Sequence, residues 1–168
     1  MQEDLALAQR QLGVVKGLCT QVGLHSLDIP ATFIGVGVGV GFTQTGFVVL
    51  SVTGYGGEST LRITSGILKD MNHDRLAALD AANLFNQSNT AFPVYLHDAD
   101  VGWSLLAQLT YPIHVMTEVP SFFDYVVRSL PGVVQEYRAT LAEKTTLGGA
   151  PWEWNDADVN ALLLRSMV

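Results

Sequence analysis

Between Phe33 and Phe42 the chain reads FIGVGVGVGF, with glycine at 35, 37, 39 and 41 and apolar side chains at 34, 36, 38, 40 and 42. Alternation at period two is the mark of a strand, because successive side chains point to opposite faces. A phosphate-cradling loop needs a glycine-rich turn between a strand and a helix, in spacings such as GxGxxG. Here the spacing differs, no lysine follows, and the next segment, TGFVVLSVTGYG, reads as another strand. The run therefore predicts a strand with one bare face. Each strand glycine costs roughly 0.5–1 kcal/mol relative to Ala. Something must offset that cost, and a helix or another chain lying close against the glycine face would do so.

The neighbouring segments build a sheet around this strand. Phe47 and Val49 point one way in the next strand, and Val48, Leu50 and Val52 the other. Apolar residues on both sides mark a central strand, or one covered by a partner. After the turn GYGGES, Leu61 and Ile63 alternate with Thr60, Arg62 and Thr64 in a third strand. Phe92, Val94 and Leu96 alternate in a fourth. A turn at HDADVG then leads to a fifth, where Trp103, Leu105, Ala107, Leu109 and Tyr111 share a face. These last two form a hairpin. Val36, Val38 and Val40 are expected to face helices and the core.

Helices fill the intervals. Glu3 to about Val22 places Leu5, Ala8, Leu12, Val15 and Val22 near one face, although Gly13 and Gly17 weaken it by roughly 1 kcal/mol each. Asn72 to Ser88 is a second helix, capped by Asn72, with Ala78, Ala81, Ala82 and Phe85 on one face. Pro120-Ser121 opens a third, with Phe122, Phe123, Val126, Val127 and Leu130 clustering before Pro131, which is expected to break or kink the helix before it resumes. TTLGGAPWEW is a linker, and Asn155 or Asp156 caps a short final helix holding Val159, Leu162 and Leu163. The expected fold is α+β, an antiparallel sheet backed by helices in the order α-β-β-β-α-β-β-α plus a short C-terminal helix. Residues 1–147 form one domain, and 148–168 a linker and tail helix.

With 9 Lys and Arg against 16 Asp and Glu, the formal net charge of -7 repels phosphate backbones, and no basic cluster offsets it locally. Nucleic acid is not an expected partner. The amphipathic start MQEDLALAQRQ lacks the basic and apolar blocks of a signal peptide, and no apolar stretch approaches the ~20 residues that span a bilayer. The expectation is a cytoplasmic protein without membrane association, for which the sequon Asn86-Gln87-Ser88 is irrelevant.

Candidate chemistry is sparse. His97, Asp98 and Asp100 sit on one turn, but their spacing matches no defined cation loop, and an acidic hairpin tip in water explains them as well. His25, His73 and His114 are scattered, and Ser59 in GYGGEST reads as turn chemistry. The single cysteine, Cys19, reads as a small half-buried residue of the first helix. No catalytic, cofactor-binding or metal-ligating residue is assigned. Trp152 and Trp154 either anchor the tail to its own domain or dock onto another subunit.

The segments LFNQSN, FPVYLHDADVG, WSLLAQLTY and VPSFFDYVV, in that order, resemble the YbjN-like bacterial family, whose fold is similar to that of type III secretion chaperones. The resemblance covers roughly residues 1 to 145. It implies an often dimeric α+β domain that binds or regulates proteins, with neither catalysis nor metal. The favoured reading is a non-catalytic protein-binding, chaperone-like or regulatory adaptor acting as a homodimer on a protein client. The candidate partner-binding residues are Gly35, Gly37, Gly39, Gly41, Phe47, Val49, Trp152 and Trp154. The alternatives are a small-ligand sensor with the glycine face as pocket floor, or an enzyme whose site assembles from distant segments.

Overall fold

The computed structural model describes residues 2–30, 35–42, 46–55, 57–71, 75–88, 91–99 and 102–167. In chain order these form α1 (Gln2–Gln21), β1 (Ser26–Ile29), β2 (Val36–Phe42), β3 (Gly46–Tyr55), β4 (Glu58–Met71), α2 (Arg75–Ser88), β5 (Val94–Ala99), β6 (Gly102–Pro112), α3 (Ile113–Glu118), α4 (Pro120–Lys144) and α5 (Asp156–Ser166). The strands make one sheet in the order β1-β2-β3-β4-β6-β5. Every neighbouring pair is antiparallel. The fold is α+β, as the alternation and helix periodicities predict.

The glycine run is a strand. Val36, Val38 and Val40 enter the main core with Val48, Leu50, Val52, Leu61, Ile63 and Leu105 of the sheet and Val15, Phe85, Phe123 and Leu130 of the helices. Thus α1, α2, α3 and α4 all pack on one face. The other face carries α5, and a second apolar cluster joins Val159, Leu162 and Leu163 of α5 to Phe47 and Val49 of β3 and Leu106 of β6. Strand β3 is apolar on both sides because the chain's own tail covers the second side.

Four local outcomes differ from the sequence reading. β1 is too short for an alternation signal. Its burial runs intermediate, exposed, exposed, buried, since it lies at the sheet edge. α3 is a six-residue helix between β6 and α4, below the length at which periodicity is readable. The third strand extends to Met71 because register shifts between Gly66 and Leu68 and between Leu68 and Met71 bend it on past Thr64. Pro131 leaves α4 unbroken from Pro120 to Lys144. The proline is buried, and tertiary packing along Val126, Val127, Leu130 and Val134 outweighs the one missing backbone hydrogen bond. Ile34, the turn before Gly46, the Asn72 cap, His73 and Asp100 lie outside the described residues.

Side chains from the helices finish the β5 edge and the irregularity in the interior strand β4. At β5, the Asn86 side chain of α2 donates to the Val94 carbonyl at 2.8 Å and accepts from the Val94 N–H at 2.7 Å. One side-chain amide thereby imitates a further strand where helix and sheet meet. At β4 the bulge frees two carbonyls, and half-buried Arg138 of α4 donates to both, Ile67 at 2.7 Å and Gly66 at 2.8 Å.

Candidate functional site

The tail lies against the bare face of the glycine strand. A Cβ placed on Gly37 would meet Leu163 Cδ1 at 2.5 Å, and one on Gly35 would meet Met167 at 2.9 Å. On Gly39 and Gly41 it would lie 2.9 Å from Cη2 and 2.8 Å from Cε2 of the Trp154 ring. Gly66, on β4, gives the same clearance to the ring of Trp152. Carbon atoms do not approach that closely without strain, so glycine is what lets α5 and both indoles settle on the sheet. The conformational cost of the run is offset by this contact.

Polar groups lock the tail in register. Asp158 is buried, and both its oxygens accept from Lys69 Nζ at 2.7 Å. It also accepts from the backbone of Glu153 at 2.7 Å. Asn155 caps α5 by accepting from the Asp158 N–H at 2.9 Å, as Asn155-Asp156 predicts. Arg62 Nη1 donates to the Ser166 carbonyl at 2.6 Å, and Ser166 Oγ donates to Ser51 Oγ at 2.9 Å in a buried contact. Upstream, Lys69 and Ala150 exchange two backbone hydrogen bonds of 2.9 Å. Gly148 and Gly149 turn the linker with φ of 63° and 83°, which a side chain rarely adopts.

The two tail tryptophans differ in environment. Trp152 is buried, with the Arg165 guanidinium 4.9 Å and Lys69 Nζ 6.0 Å from its ring centroid. Trp154 packs against Phe47 at 5.3 Å between ring centroids yet remains 43% exposed. Beside it opens a cavity of about 340 Å³, lined by Leu27, Asp28, Ile29, Pro30, Asn155, Asp156, Val159 and Asn160 as well as Trp154 itself.

All eight candidate partner-binding residues thus gather on one face: the four glycines as floor, Phe47 and Val49 beside them, and the two tryptophans above. The sequence reading missed Gly66, Lys69, Arg62, Asp158 and Ser166. A lone glycine in a strand pattern signals close approach, so Gly66 was readable in principle. The others are single polar residues whose partners lie 89 or more positions away.

The remaining candidates separate. His97 lies on the tail-bearing face opposite Ser104, and its pKa is lowered by burial and by the nearby Arg165, against the pull of Asp98. Among the described residues no three His, Cys, Asp or Glu side chains converge as metal ligands. Cys19 is fully rather than half buried, and burial pushes its thiol up to about 11. Glu58, Ser59 and His114 line a second cavity of about 680 Å³ between α1, β4 and α3. No hydrogen bond joins Ser59 to His114 among the described residues. No helix among the described residues is long and apolar enough to cross a membrane.

No family model and no curated protein matches the sequence.

Proposed function

We propose that this chain is a non-catalytic protein-binding adaptor of the YbjN-like kind, working in the bacterial cytoplasm as a homodimer. One observation carries the reading: a sheet face floored by glycine receives an apolar helix and two indoles at close range. Binding an amphipathic helix in an apolar groove is a recurring mode of protein recognition. The tail occupies in cis a face suited to a client's helix in trans. Since that face is covered, self-association uses a helix surface, for which Leu76 and Leu84, two turns apart on α2 and 65% and 41% exposed, supply apolar contacts.

The test uses the full chain and a labelled synthetic peptide of residues 150–167. Asp158→Asn weakens the ion pair to Lys69 and loosens the tail, so the peptide should bind this variant at least about tenfold more tightly than wild type. Absence of binding to either protein contradicts the groove reading. Sedimentation over a concentration series decides the dimer. A wild type that stays monomeric at high micromolar concentration removes it.

A further inference from the structure

We propose that the cavity beside Trp154 is a binding site for the guanidinium of an arginine side chain presented by a partner protein. This rests on the protein-binding reading above and names the chemistry of one contact, made while the tail is docked, because Trp154, Asn155, Asp156, Val159 and Asn160 of the lining belong to the tail.

The chain's three tryptophans set the pattern. Trp103 has the Arg75 guanidinium 5.4 Å from its ring centroid, and Trp152 has Arg165 at 4.9 Å. Among the described residues no cation lies over Trp154, which is 43% exposed and lines the cavity. Its inner side rests on Gly39 and Gly41, so the ring is held in place while staying open. An indole face is the best cation acceptor among side chains.

The walls agree. The ionisable residues lining the cavity, Asp28 and Asp156, are both acidic. Asp28 is shared with Lys16 at 2.6 Å, an exposed pair of little strength, while Asp156 carries no ion pair among the described residues. Leu27, Ile29, Pro30 and Val159 offer apolar surface to an aliphatic stem, and Asn155 and Asn160 supply amides. A planar guanidinium can stack on the indole and donate to a carboxylate together, which an ammonium does less well. A second copy of this chain is a poorer occupant, because its own acidic rim would face this one.

The experiment follows the Trp154 indole N–H resonance of the isotope-labelled full chain during titration. The probes are an acetylated and amidated Gly-Arg-Gly peptide, its neutral citrulline counterpart, and spermidine. The arginine peptide should saturate with a Kd on the order of millimolar, and the citrulline peptide should bind about tenfold more weakly. Asp156→Asn, an exposed substitution outside the tail's contacts with the sheet, should weaken the arginine peptide about threefold. Equal binding of citrulline, an unchanged Asp156→Asn, or no shift of Trp154 overturns the site. Spermidine saturating at lower concentration than the peptide overturns its assignment to a partner's arginine. The tail-peptide assay reads the groove instead of the cavity, so the two proposals fail separately.

Discussion

At residue scale, the four glycines of β2 illustrate how a locally unfavourable choice is made favourable by a contact distant in sequence. Valine has the higher strand propensity, and a Val at Gly37 and Gly39 would stabilise an isolated strand. Here it would drive into Leu163 and the Trp154 ring. The double variant should lose about 1–3 kcal/mol per site in denaturant unfolding, despite the propensity gain. Cys19 makes a second prediction at this scale. With its thiol held neutral up to about 11 instead of 9.0, it should resist thiol reagents at pH 8 in the native state and react at once on unfolding. Folded-state protonation exceeds that of the unfolded chain between those two values. The stability gained from the neutral thiol is therefore complete below about pH 9 and is lost as pH rises through about 11.

At element scale, the tail is held by one helix, two indoles and an ion pair, and each can be removed separately. Trp152→Ala should cost about 3–5 kcal/mol, since a buried ring over Gly66 leaves a cavity that a rigid sheet cannot close. Asn86→Ala, at the opposite edge, should cost about 1–3 kcal/mol by stranding both backbone groups of Val94. Both are measurable by chemical denaturation of purified variants. Elements with strong periodicity were legible in the sequence: the glycine strand, the two-sided β3, the β5–β6 hairpin, and the helix faces with Ala78, Ala81, Ala82 and Phe85 or Val126, Val127 and Leu130. β1 and α3 were not, because four and six residues are too few to show a period. Pro131 was misread because local rules for proline ignore the packing that carries α4 through it. The candidate site was half legible. Bare glycines announce that something packs on them, yet nothing in their alternation says that the occupant is the chain's own residues 152 to 167.

At the scale of the whole molecule, the sheet is a central layer with α1 to α4 on one face and α5 on the other. A chain that stopped near the linker would expose Phe47, Val49 and Leu106 together, so the tail completes the fold as well as occupying the groove. The central claim is that β2's glycines are the floor for this chain's own Trp154. A double-mutant cycle between Gly39→Val and Trp154→Ala, followed by denaturant unfolding, tests it most directly. If the ring rests on the glycine, the valine should be far less costly once the indole is gone. The coupling should then reach about 1 kcal/mol or more, unchanged across a roughly hundredfold range of protein concentration. Additive effects of the two substitutions, or a coupling that grows with concentration as a second chain's tail takes the face, would contradict the account.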